Sequence, residues 1–297
     1  MKKLLGKTLL LVMISWTFQV GITYKYHLRE DAVLTGGSEV VYVGDSTGEA
    51  VFRSLSKMRP AGSIEAFYHT ALTSEAYFHF VRKILRSKKL PKLVVLPINL
   101  ITFAPSQYLH PGNQYHELML KVRFSHNPIL FATIRFLDLF KIASWLDPLS
   151  REKYDQIAIK NEHNNLGIIK DVFKRASWAI NFFMPVVHPE HVHLTYFNKT
   201  TQLLGKKDIK VLLYFNPMNY EKGDAITGGS FSRTLNKSIA IIEKSLVRAP
   251  NLELLNMVFS HGDSSFLDQV HQKDTAARWS ARELNDRINI ILKKGRM

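Results

Sequence analysis

A serine hydroxyl becomes a good nucleophile only when a base removes its proton, and that base works best when a carboxylate fixes its tautomer. The sequence offers one such set. Ser46 ends the stretch Val40-Val41-Tyr42-Val43-Gly44-Asp45-Ser46, and Asp268 and His271 stand three residues apart in Phe266-Leu267-Asp268-Gln269-Val270-His271. At that separation an Asp and a His on one turn face the same side. The chemistry such a set performs is attack on an ester or thioester through an acyl-enzyme. Asp263 is the fallback carboxylate should Asp268 point away.

These residues need elements to position them. Glu39 to Val43 is β-branched and aromatic and runs straight into Gly44-Asp45-Ser46, after which Glu49 to Met58 reads as a helix. A serine at such a strand-turn-helix junction has the helix N-terminal N–H groups beside it, which stabilise a developing oxyanion. Further strands are expected at Leu93 to Ile98, Val211 to Phe215 and Leu252 to Val258, with helices at Ser74 to Ser87, Phe231 to Arg248 and Thr275 to Leu292. Alternating strands and helices imply an α/β fold of three layers, a mostly parallel sheet with helices on both faces. In such sheets ligands bind at the carboxyl ends of the strands, where Ser46 and the Asp268 segment both fall.

From Pro105 to about Glu190 the alternation breaks, and the apolar stretches Pro128 to Trp145 and Trp178 to Val187 suggest a helical cap inserted at 105–190. At the start of the chain, Lys2, Lys3 and Lys7 precede an apolar run of about 17 residues from Thr8 to Tyr24, near the lower limit for a bilayer span. Basic residues before the run favour a cytoplasmic N-terminus and place the chain beyond Tyr24 outside. No small-x-small cleavage site comes after the run, so residues 1–24 read as an uncleaved transmembrane anchor rather than a signal peptide. Residues 25–38 then read as a tether and 39–297 as the α/β domain.

The chain carries 40 Lys and Arg against 25 Asp and Glu, a formal net charge of +15, which suggests an anionic surface or substrate. The basic residues are dispersed and no nucleic-acid recognition motif appears, so nucleic acid is not the expected partner. The absence of cysteine excludes a disulfide scaffold, a thiol nucleophile and Cys-ligated zinc. His188, Glu190, His191 and His193 invite a metal reading, but their spacing lacks the one-turn separation of His-Glu-x-x-His, and no metal or cofactor is expected. Asp224 with Gly228 and Gly229 reads as an exposed loop near the cleft, and Asn198 and Asn236 begin sequons.

Taken together, Val40 to Ser46 and Asp268-Gln269-Val270-His271 resemble the first and last blocks of the SGNH, or GDSL-like, hydrolase superfamily. The anchored layout resembles the branch that holds the D-alanyl transfer protein of teichoic acid operons and polysaccharide O-acetyltransferases. Leu212 to Asn219 is similar to the Pro-x-Asn strand end common there. The resemblance implies an extracytoplasmic serine acyltransferase or esterase acting on a cell-envelope glycan or teichoic-acid-like polymer, with a membrane-embedded acyltransferase as a potential partner. It also implies an oxyanion hole, to which Ser46 N–H, Asn99 and the N–H of Thr73 are the local matches. Two blocks depart from the pattern: Ala71-Leu72-Thr73-Ser74 has no glycine, and Pro97-Ile98-Asn99-Leu100 stands where Gly-x-Asn-Asp is usual. Those departures motivate the alternative of an inactive scaffold or glycan-binding partner.

Overall fold

A computed structural model describes residues 6–8, 10–18, 20–22, 37–68, 73–104 and 184–294. The expected cap lies outside the described residues except for 184–190, and so does the tether except for Gly37 and Ser38. Residues 6–8, 10–18 and 20–22 are helical, with Leu10, Leu11, Met13, Ile14 and Phe18 exposed. Among the described residues no helix is long and apolar enough to cross a membrane.

The domain is a five-stranded, wholly parallel sheet in the order β2-β1-β3-β4-β5, with β1 Val40–Gly44, β2 Ile64–Tyr68, β3 Leu93–Ile98, β4 Lys210–Phe215 and β5 Leu252–Asn256. Helices α1 (Ser46–Met58), α2 (Ser74–Ile84), α3 (Val192–Gly205), α4 (Tyr220–Thr227), α5 (Ser230–Ser245) and α6 (Asp274–Lys294) connect or follow the strands. The strand alternation divides the core in two. Val41, Val43, Val94, Leu96, Val211 and Leu213 pack with α2, α3 and α5, whereas Val40, Tyr42, Leu93, Val95, Leu212 and Tyr214 pack with α1 and α6. These are the three expected layers.

The strand order makes the site. The chain leaves β1 to form β2 on one side and returns to form β3 on the other, so the carboxyl ends of β1 and β3 flank a topological switch point. Their ladder stops at Tyr42↔Val95, two residues before β1 ends at Gly44, which leaves a crevice. Pro97 fits in a central strand because it lies beyond that ladder and pairs only with Tyr214 of β4.

Candidate active site

Asp45 directly follows β1 and is the N-cap of α1; its Oδ1 accepts the Thr47 N–H at 3.0 Å, which explains why the chain turns into a helix at Ser46. The helix therefore begins three residues earlier than its sequence suggests, and Ser46 is its first residue, at the mouth of the crevice. Gly48 is required in the next turn, since a Cβ there would overlap the Tyr42 hydroxyl, which pairs with that of Tyr214 below.

Asp45 is buried and its carboxylate is fully used. Thr47 Oγ1 donates to Oδ1, and Asn99 Nδ2, from the end of β3, donates to Oδ2 at 2.9 Å. Asn216 Nδ2, from the end of β4, donates to Thr47 Oγ1 at 2.7 Å. Three strand ends are thus tied around the residue that precedes Ser46. Asn99 is expected as an oxyanion donor, and the structure shows one of its two N–H groups committed to Asp45; the other lies 3.4 Å from Thr47 Oγ1. Thr73 is the N-cap of α2, its hydroxyl accepting from Ala76 N–H.

The candidate base comes from the segment between β5 and α6. Leu267 N–H donates to the His271 carbonyl at 2.8 Å, and Phe266 and Gln272 form an antiparallel bridge, so residues 266–272 make a tight reversal rather than a helical turn. Within it, Asp268 Oδ1 accepts from the N–H groups of Val270 and His271, both at 2.8 Å, and Oδ2 meets His271 Nδ1 at 2.6 Å. The Asp268 hydrogen bond raises the His271 pKa, burial opposes it, and the charges of Asp268 and then Asp45 add to the rise. Burial alone would raise the Asp268 pKa, but its bonds to His271, the His271 charge and the two N–H groups outweigh it and hold the carboxyl below its ordinary value. Asp45 thus contributes to the electrostatics of His271 although it belongs to the other half of the site.

One turn joins those halves. In Asn216-Pro217-Met218-Asn219, after β4, Asn216 holds Thr47, while Asn219 N–H donates to the Gln269 carbonyl at 3.0 Å. Asn219 Nδ2 donates to the Asp268 carbonyl at 3.2 Å and to Asp263 Oδ1, and Gln269 Nε2 returns a bond to the Asn219 carbonyl. Asp263 is thereby occupied with Asn219, and Asp268 is the carboxylate on His271. Asp45, Thr47, Asn216 and Gln269 are site residues to which the sequence reading gives no role, and Asn219 enters it only as the end of the Pro-x-Asn motif; the polar run at the end of β4 is the available signal for Asn216.

The remaining sequence candidates are structural. His193 is buried, with Nε2–H donating to the Thr102 carbonyl at 3.1 Å and Nδ1 accepting from Ser74 Oγ at 3.0 Å. Burial, and then His191, push its pKa down to about 3, so it stays neutral. His191 caps α3 through Nδ1, and burial with His188 lowers its pKa to about 4. Among the described residues no group of three or more His, Cys, Asp or Glu is placed to hold a metal. Asp224, expected in a loop, lies in α4 and accepts the Ser232 N–H at the start of α5; the left-handed Gly228 and Gly229 make the break between those helices.

No family model matches the sequence, and no curated protein matches it. Solved structures do. A GDSL-like lipase from Bacteroides thetaiotaomicron is similar over 91% of this chain and 98% of its own, at 13% identity and a TM-score of 0.43. The catalytic domain of Streptococcus pneumoniae peptidoglycan O-acetyltransferase A is similar over 88% of this chain and 95% of its own, at 12% identity and a TM-score of 0.40. At such identities the likeness says nothing about which residues act, and the chemistry rests on the side chains described above.

Proposed function

We propose that the chain is a serine acyl-transfer or ester-cleaving enzyme of the SGNH kind, with Ser46, His271 and Asp268 as its triad. The observation that carries this reading is the 2.6 Å pair of His271 Nδ1 and Asp268 Oδ2, at the carboxyl end of the sheet where Ser46 opens α1. Because Nδ1 is held by Asp268, the working nitrogen is Nε2. It takes the Ser46 hydroxyl proton as the oxygen attacks the acyl carbon, then returns that proton to the departing oxygen or sulfur. The acyl-enzyme is discharged by a hydroxyl of a carbohydrate or polyol, or by water, with His271 again taking the proton. The oxyanion is met by N–H groups of Ser46 and Thr73 and by the second Asn99 N–H, which leaves its 3.4 Å contact with Thr47 Oγ1 to do so. The layout of an apolar N-terminal run before the domain supports a membrane-anchored, extracytoplasmic enzyme acting on a cell-envelope polymer.

Two observations favour a second reading, a scaffold without turnover: Asn99 gives part of its donor capacity to Asp45, and the second block lacks its glycine. A fluorophosphonate separates the two. The enzyme forms a covalent adduct whose intact mass maps to Ser46 and is absent in Ser46→Ala; a folded wild type that stays unlabelled overturns the enzyme reading. Given labelling, release of acetate from a simple ester with and without a carbohydrate acceptor decides between transfer and hydrolysis.

A further inference from the structure

The amino end of the sheet, opposite the site, has a distinct chemistry. In a parallel sheet every connection that enters a strand lies at this end. The four connections 57–63, 85–92, 206–210 and 244–251 together hold eleven Lys and Arg and a single acidic residue, Asp208. Lys57, Lys88, Lys89, Lys206, Lys207 and Arg248 are all exposed. The long helix α6 runs back to the same end and finishes with exposed Lys293 and Lys294. Of the acids nearby, Glu39 pairs with Lys92 at 2.8 Å and Glu253 with Arg287 and Lys294, each at 3.4 Å, while Asp208 and Glu243 are exposed.

A second observation falls on the same surface. Met58, Leu90 and Val247 are large apolar residues left 37%, 36% and 44% exposed, and each stands next to a cation in these connections, as Lys57-Met58-Arg59, Lys89-Leu90 and Val247-Arg248. Apolar side chains ringed by Lys and Arg suit a bilayer interface, where the apolar groups enter the headgroup layer and the cations meet lipid phosphates. A third observation concerns the path of the chain. Ser38 Oγ donates to the Gly62 carbonyl at 2.8 Å, and Gly37 lies against the Lys89 side chain, so the polypeptide from the apolar N-terminal run enters the domain at this end.

We propose that the amino end of the sheet is a docking surface for an anionic phospholipid bilayer, which holds the domain upright with its crevice pointing away from the membrane. This rests on the anchored reading above and extends it from attachment to orientation. Two described segments of the catalytic end, 216–224 and 257–274, have the opposite charge balance: Glu221, Asp224, Asp263, Asp268 and Asp274 stand against Lys222 and Lys273. An anionic surface therefore attracts the amino end and disfavours those two segments.

The absence of cysteine permits single labels. The full chain, carrying a fluorophore at Leu90→Cys on the amino end or at Ala225→Cys on α4, is reconstituted with vesicles of phosphatidylcholine or of an equimolar mixture with phosphatidylglycerol, each with a headgroup-attached quencher. Expected is quenching at position 90 several-fold stronger than at 225, in the anionic vesicles alone, and lost both in 1 M salt, where screening shortens to about 3 Å, and in Lys88→Glu/Lys89→Glu/Lys206→Glu/Lys207→Glu. Equal quenching at both positions, or indifference to phosphatidylglycerol while the protein still floats with the vesicles, overturns the docking surface and leaves the anchor standing. Failure to float with any vesicle overturns both.

Discussion

The two halves of the candidate site are built on different principles. Around the nucleophile, Asp45, Asn99 and Asn216 are 2%, 4% and 4% exposed and form one buried network spanning three strand ends. Around the base, the side chains of His271 and Asp268 are 41% and 43% exposed, on a reversal held mainly by Asn219 and Gln269. A buried network that loses a member leaves unpaired polar groups away from water, whereas an exposed pair that loses one is rehydrated. Substitutions in the first half should cost both stability and activity. Those in the second should cost activity alone.

The largest effects are expected from Ser46→Ala and His271→Ala, each lowering ester turnover by on the order of 10⁴-fold or more, with neither adding to the other in the double variant. Turnover assays on proteins with unchanged far-ultraviolet circular dichroism check this, and additivity of the two losses would break the triad. Asp268→Asn comes next, with a loss on the order of 10²- to 10⁴-fold. It also sharpens the comparison through pH. Activity needs neutral His271, and because Asp268 raises the pKa of His271 above its ordinary 6.5, the rising limb of kcat/KM in the wild type lies above that value. Removing the carboxylate charge moves the limb to lower pH; a limb that stays in place would mean that another group sets it.

Asp45→Ala should lower activity by about 10- to 100-fold and stability by about 1–3 kcal/mol, because Asn99 and Thr47 lose their acceptor. Denaturant unfolding of this variant beside Asp268→Asn is the direct test, and equal stability would erase the distinction between the halves. The smallest catalytic effect belongs to His193→Ala. It leaves Ser74 and the Thr102 carbonyl unsatisfied and costs about 1–3 kcal/mol in a melt, with turnover within about tenfold of wild type. A chelator should change neither number.

Much of this is legible from residue types. The apolar, β-branched runs mark β1, β3 and β4 nearly to the residue, because strands buried on both faces leave little room for polar positions. β2 escapes such a reading: Ile64-Glu65-Ala66-Phe67-Tyr68 is short and contains a Glu, as an edge strand tolerates. The start of α1 reads too late because Gly44 to Gly48 has the composition of a turn, whereas capping by Asp45 starts the helix at Ser46. The pairing of Asp268 with His271 follows from spacing, but the polar network does not. It joins residues up to 171 positions apart, from Asp45 to Asn216, and only the strand order brings them together.

The packing of α1 on α6 has a consequence in time. Arg59, just past the end of α1, donates to Asn285 and Asn289 of α6 at 3.0 and 3.1 Å, and Val51 and Leu55 share a core with Leu284 and Ile288. The helix that starts with Ser46 is thus covered by α6, the last of the described helices to be synthesised. At translation speeds of about 5–20 residues per second, roughly 10 to 50 s separate the two. Throughout that interval Ser46 has neither its base nor the layer that buries its helix. If Ser46 is the nucleophile as proposed, a nascent chain or one cut before α6 is therefore expected to be chemically silent, with activity appearing as α6 docks.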